Sequence, residues 1–289
     1  RRGDHTCGIT GGNRLYCWGG GYLGNGTVST STSPIPIGGS RRFRQVAPGD
    51  FHTCAIDTVH RVFCWGSNFS GQLGDGTTSD QASPVRVQAG TLRFRRVTVG
   101  SSHSCAIATN GRAYCWGGNN FGQLGDRTKT DRPTPVPVSG GLTFTDTDAG
   151  ASHTCAITAE NKSWCWGRGG LVGDGNDQPR RLKPTAVAGG HDFRRVSAGD
   201  DHTCGETSTN RAFCWGGNSF GGLGDGTTTT RLTPVAVTGG LTFSQVSAGA
   251  FFTCGVRGSG AAFCWGNNRW GQLGDGTRQD RLQPTRVQG

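Results

Sequence analysis

Short stretches in which apolar residues alternate with small or polar ones run the whole length of the chain. From Phe94 the pattern reads F-R-R-V-T-V-G, S-S-H-S-C-A-I-A, a polar turn T-N-G-R, A-Y-C-W-G, a glycine-rich loop N-N-F-G-Q-L-G-D, and P-T-P-V-P-V. Each stretch is bounded by Gly, Asn, Asp or Pro, so the spacing predicts four strands and no helix of useful length. The pattern recurs. Cys-Trp-Gly stands at 17–19, 64–66, 115–117, 165–167, 214–216 and 264–266, at intervals of 47, 51, 50, 49 and 50. Six units therefore fill residues 1–289 as a single domain without a linker, their hairpins centred near 12, 59, 110, 160, 209 and 259. Four short strands cannot bury two faces alone, so the units must pack on one another, and radial packing leaves only short edges. The expected fold is all-β: a β-propeller of six repeats with four-stranded antiparallel blades.

Two irregularities interrupt the repeat. The Pro-Val type strand occurs six times, but the Phe-x-x-Val strand only five, near 43, 94, 144, 193 and 243. One strand before Gly3 is thus expected to be missing, which leaves either a three-stranded blade or an upstream segment outside the chain. In the fourth unit W-G-R-G-G-L-V-G-D-G lacks the N-x-F-G-Q stretch, which shortens one loop.

The pattern G-x-x-H-T-C-A-I…C-W-G-x-N-x-F-G-Q-L-G-D-G-T…R-x-x-P-V-x-V resembles the regulator of chromosome condensation repeat, and in particular its bacterial, cysteine-bearing version. The resemblance covers essentially the whole chain. It implies a propeller, commonly of seven blades, and protein partners held through loops near the channel. A seventh blade would need about 50 more residues, one further repeat, so six are expected here.

Composition sharpens the class. The 52 glycines among 289 residues are about two and a half times the usual share of roughly 7%, which argues against a helical protein. No apolar run approaches the ~18 residues of a membrane helix, and the chain opens on Arg1 without a signal core or initiator methionine, as a processed or excised piece would. Lys plus Arg number 29 against 19 Asp plus Glu, and only Lys129, Lys162 and Lys183 are lysines. Such a field suits an acidic partner without selecting one.

Twelve cysteines pair by spacing: Cys7 with Cys17, Cys54 with Cys64, Cys105 with Cys115, Cys155 with Cys165, Cys204 with Cys214, and Cys254 with Cys264. Around a turn with an odd loop count, this spacing sets the two thiols opposite each other on adjacent antiparallel strands. Disulfides at this density point to an oxidising compartment, secreted or at a cell surface. The rival is metal binding with His5, His52, His103, His153 and His202 as third ligands. Zinc knuckles use closer cysteines, and the sixth unit keeps both thiols while carrying Phe252 in place of histidine, so no metal and no cofactor are expected.

Other repeated residues read as structural. The histidines are expected to bond neighbouring backbone and fix the turn, with an anion- or metal-binding ring as the alternative. The tryptophans are expected to pack between blades. Asp75, Asp126, Asp174, Asp225 and Asp275 with Arg132, Arg181, Arg231 and Arg281 suggest ion pairs that hold the loops, within or across blades. Positions that break the repeat are better candidates for partner contact: Tyr22, Phe69, Phe121, Phe220 and Trp270 in the glycine-rich loops, and Arg42, Arg95 and Arg195 beside the phenylalanines. Glu206 stands where other units have Ile or Val, either buried on an arginine or turned to the channel.

No G-x-x-x-x-G-K-[ST], H-E-x-x-H or G-x-S-x-G occurs, and the glycine loops are periodic turns, so the chain reads as no enzyme. The first expectation is a secreted or surface scaffold for a protein partner. The alternatives are a glycan-binding or adhesive module taking acidic glycans, and a subunit of a self-assembling surface structure. Nucleic acid is disfavoured as a partner.

Overall fold

The computed structural model describes residues 4–288. Among them six antiparallel sheets follow one another along the chain, and the one helical segment is a single 3-10 turn, Gly169–Leu171, in the shortened loop of the fourth unit. Blade 3 shows the plan: Phe94–Val99, His103–Ala108, Ala113–Gly117 and Arg132–Pro137 pair in chain order. The first strands of successive blades lie against one another around the axis, and the fourth strands form the rim. Blade 1 has three strands, His5–Ile9, Leu15–Gly19 and Ser31–Ile37; the position of the strand expected before Gly3 lies outside the described residues.

The cysteines face each other in register, Cys105 on Cys115 and likewise in every blade, and all six disulfides are formed. Their Cα atoms are 4.1 Å apart, the close spacing of a non-hydrogen-bonded antiparallel pair.

The core lies between blades. Cys54, Ile56, Val62 and Cys64 of blade 2 pack on Phe94, Val97 and Trp116 of blade 3. In the pairing of third and fourth strands the register slips at each tryptophan, as at Trp116 between Cys115 and Gly117. The bulge bends the strand there, and the indole packs into the glycine loop of the preceding blade. Gly74 shows why that loop needs glycine: its φ is +69°, and a Cβ would lie 2.7 Å from the Trp116 Nε1.

Polar groups complete each seam. Trp116, Trp166, Trp215 and Trp265 donate Nε1–H to the carbonyls of Gln72, Gln123, Leu171 and Gly222 in the preceding blade, at 2.8–3.0 Å. The same four carbonyls accept the hydroxyls of Ser104, Thr154, Thr203 and Thr253. Those hydroxyls lie 2.7–2.9 Å from Nε2 of His52, His103, His153 and His202. Each hydroxyl has one hydrogen and gives it to a carbonyl, so the imidazole is the donor at Nε2. The histidines therefore do not fix their own turns through backbone, as the sequence suggested; they tie each blade to the next. At the first seam His5 reaches Thr53, but the Trp65 Nε1 has no acceptor among the described residues.

Among the described residues the first and last blades show no such seam. Gly24, Gly74, Gly125, Gly173 and Gly224 each face the tryptophan of the following blade, whereas Gly274 faces only its own Val287. Trp18 is half-buried, while the other five repeat tryptophans are fully buried.

Because strands alternate in direction, each blade has two ends. The glycine loops and the turns between first and second strands share one end, the loop face. The hairpins between second and third strands and the links between blades share the other, the turn face.

Candidate functional site

The glycine loops are short but pinned. In blade 3 the Asn119 Nδ2 donates to the Asp126 Oδ1 and to the Thr128 and Thr130 carbonyls, its Oδ1 accepts from Leu124 N–H, and its own N–H bonds the Asp131 Oδ1 at 2.7 Å. Asn68, Asn218 and Asn268 repeat the core of this network. Asp126 pairs with Arg132, Asp174 with Arg181, Asp225 with Arg231 and Asp275 with Arg281, all within one loop rather than across blades; in blade 2 Gln81 replaces the arginine beside Asp75. Burial pushes the Asp126 and Asp225 carboxyls up, but the threonine, arginine and asparagine donors outweigh it and hold both below the ordinary range. The Asp275 carboxyl is lowered by the Thr277 hydroxyl first and the Arg281 guanidinium second. These aspartates are committed to structure.

On that rigid base the loop face presents large apolar groups. Trp270 is 85% exposed, Phe69 66% and Phe51, from the turn beside it, 58%. Phe121 is also exposed. Phe220 is half-buried and packs against Phe251, with ring centroids 5.5 Å apart and planes tilted by 60°. Tyr22 is half-buried and donates its hydroxyl to the Asp80 Oδ2 at 2.8 Å, a bond that raises its own pKa. The five aromatics singled out in the sequence thus share one face. Phe51 and Phe251 were missed because they belong to the turn before the first cysteine-bearing strand; each breaks a position where other units carry Asp4, Ser102, Ser152 and Asp201.

The arginines divide differently. Arg95 and Arg194 are the extra residues of β-bulges in the first strands of blades 3 and 5. Arg95 donates to the Phe144 carbonyl, and Arg194 to the Phe243 and Ser244 carbonyls, all in the following blade. Arg42 donates to the Ser40 carbonyl at the turn face. Arg195 is exposed toward the channel and lines a polar cavity of about 390 Å³ with Arg96, Asp146, Asp148, Ser197 and Gln245. There Arg96 pairs with Asp146, and Asp148 accepts from the Thr98 hydroxyl and from Ala198 N–H.

Glu206 is 1% exposed. It accepts from Val246 N–H across the seam and from the Arg194 Nη2 at 3.3 Å, while burial raises its pKa. As a contact residue Glu206 is corrected: the buried alternative holds, because a carboxylate facing the seam finds an arginine and an amide there and no solvent. Among the described residues no three His, Cys, Asp or Glu side chains group to hold a metal ion, and no helix is long and apolar enough to cross a membrane.

Comparison with known proteins agrees with this architecture. The profile of the regulator of chromosome condensation (RCC1) repeat matches residues 13–56, 60–107, 110–157, 210–256 and 259–289, and a second profile of the same repeat matches 43–72, 94–123, 144–171, 193–221 and 243–272. The ultraviolet-B receptor UVR8 of Arabidopsis thaliana is 34% identical over 143 residues, 47% of this chain and 32% of its own length. The chain thus spans about a third of that relative. The structure of human WBSCR16 superposes with a TM-score of 0.88 at 21% identity, covering 99% of this chain and 80% of that one. Prp20p of Saccharomyces cerevisiae, described with its binding properties to Gsp1p and histones, superposes at 0.86 with 22% identity over 99% of this chain and 75% of its own. With its repeats matched over more than half of its length, the chain belongs to the regulator of chromosome condensation (RCC1) repeat family.

Proposed function

We propose that the chain is a non-catalytic protein-binding scaffold of an oxidising compartment, secreted or at a cell surface, which holds its partner on the loop face. One observation carries this reading: Trp270, Phe69 and Phe121 stand exposed on loops that Asn-Asp networks pin, with Phe51 exposed on the turn beside them. Interface energy concentrates in a few large aromatic side chains, and rigid presentation lowers the cost of ordering them. The six disulfides support the compartment. The description of Prp20p with protein partners supports the kind of ligand.

The test uses the chain as bait under non-reducing conditions against secreted and surface proteins, beside an acidic-glycan array at low and high salt. The reading expects a saturable protein partner that survives high salt and is lost in a Trp270→Ala/Phe69→Ala variant. Binding confined to acidic glycans and abolished by salt replaces it with the adhesive module, since a charged polymer is screened and a packed interface is not.

A further inference from the structure

The net charge of +10 is not spread evenly. At the turn face of blades 1 to 3 stand Arg14, Arg41, Arg42, Arg44, Arg93 and Arg112, with Arg61 and Arg95 beside them. The one carboxylate at that end of these blades is Asp57; it is 1% exposed and held by Arg61. No described carboxylate lies within ion-pair distance of the first six. Arg42 donates to the Ser40 carbonyl and Arg93 to the Thr91 and Leu92 carbonyls, Arg44 meets the His60 ring at 2.9 Å, and Arg41 lies 3.9 Å above the Phe63 ring.

The six form one surface. Asn13, next to Arg14, bonds Phe43 N–H through its carbonyl; the Arg42 carbonyl accepts from Thr58 N–H, the His60 carbonyl from Phe94 N–H, and the Arg93 carbonyl from Thr109 N–H. These bonds link the hairpins and blade links of blades 1 to 3 into one continuous rim. The loop face of the same blades carries Asp4, Asp50, Asp75, Asp80, Asp126 and Asp131 against Arg127, Lys129 and Arg132. The ring is therefore polarised across its thickness.

We propose that this rim is a second docking surface, distinct from the aromatic loop face, and that its occupant is an acidic polypeptide segment rich in Asp and Glu. Guanidinium forks match carboxylates in pairs, and arginines that meet no carboxylate within the chain keep their charge for a ligand. Two observations weigh against a nucleic acid. Single strands need exposed aromatic platforms, but Phe63 here is buried beneath Arg41 and the exposed rings are all on the other face. The fully paired cysteines also belong to a compartment where nucleic acid is scarce.

The probe is a fluorescent deca-glutamate peptide, titrated by anisotropy with the intact, oxidised chain in low salt. Arg44→Ser/Arg93→Ser/Arg112→Ser removes three exposed charges from the rim. Arg269→Ser/Arg278→Ser/Lys129→Ser removes three from the loop face and leaves the net charge equal. Thermal unfolding of both establishes that they are folded, and single Arg44→Ser and Arg93→Ser variants replace the triple if it is not. The proposal expects at least a tenfold loss of affinity in the rim variant, less than twofold in its charge-matched control, and no change in Trp270→Ala/Phe69→Ala. Equal losses in the two charge variants overturn it as bulk electrostatics. Tighter binding of a sulfated oligosaccharide or a single-stranded DNA 20-mer than of the peptide overturns the choice of ligand. Because the aromatic double variant reports only the loop face, failure of either surface is read independently of the other.

Discussion

His153 offers a sharp test of how the seams are built. Its Nε2–H donates to the Thr203 hydroxyl at 2.7 Å, and its Nδ1 is buried with no hydrogen-bond partner. A second proton would have to sit on Nδ1 with no acceptor, so burial drives the pKa from 6.5 to about 3, against the opposing pull of Asp148. In the unfolded chain the ring titrates near 6.5. The folded value is depressed, so the neutral ring is favoured by folding: the contribution is complete above about pH 6.5 and declines as pH falls toward 3. The slope is about 1.4 kcal/mol per pH unit, which gives a loss of about 2 kcal/mol between pH 8 and pH 5. A His153→Gln variant keeps a donor for Thr203 but cannot titrate. Guanidinium unfolding under non-reducing conditions, followed by tryptophan fluorescence at pH 8, 6.5 and 5, should show the parent losing about 2 kcal/mol more than the variant across that range. Parallel pH dependences in the two proteins would refute the assignment of a neutral, donating imidazole.

Other consequences follow from the same packing. Gly74→Ala places a methyl 2.7 Å from the Trp116 indole at φ +69°, whereas Gly274→Ala at φ +63° meets only its own Val287 at 3.1 Å. The first should cost about 2–4 kcal/mol, overpacking added to backbone strain, and the second about 1 kcal/mol, read from chemical unfolding. Glu206→Ile restores the residue type of the other units but strands the Val246 N–H in the seam, so a loss of about 1–3 kcal/mol is expected, with Glu206→Gln closer to the parent in thermal melts. Replacing Cys54 and Cys64 together by alanine opens one 11-residue ring and should lower stability by about 2–3 kcal/mol, leaving five disulfides by free-thiol assay.

Much of the fold was legible because it is written six times. Period-2 alternation between turn residues gives strands, and equal spacing of Cys-Trp-Gly gives blades; neither depends on distant contacts. The disulfides were equally open, since residue spacing around one hairpin sets the geometry of its thiols. What crosses a seam was not. The histidine-hydroxyl-carbonyl link joins residues about 50 apart, and nothing local to His153 announces Thr203. Glu206 was visible as an anomaly, but its partners Arg194 and Val246 come from two other strands. The loop aromatics could be named individually because they break the repeat, whereas their gathering on one face needed the direction of every strand. Phe51 and Phe251 could have been found by comparing turns as well as loops.

The seams also have a sense of direction. At each of four joints a histidine points forward to the next blade and a tryptophan reaches back to the previous one, so the blades are coupled like links in a one-dimensional chain whose opening propagates from neighbour to neighbour. The joint between blades 1 and 2 is weaker than those four, because among the described residues its Trp65 N–H finds no acceptor. Amide hydrogens of Leu15–Gly19 should therefore exchange before those of Ala113–Gly117, although each stretch carries the second cysteine of its hairpin's disulfide, and protection should rise from the first blade inward.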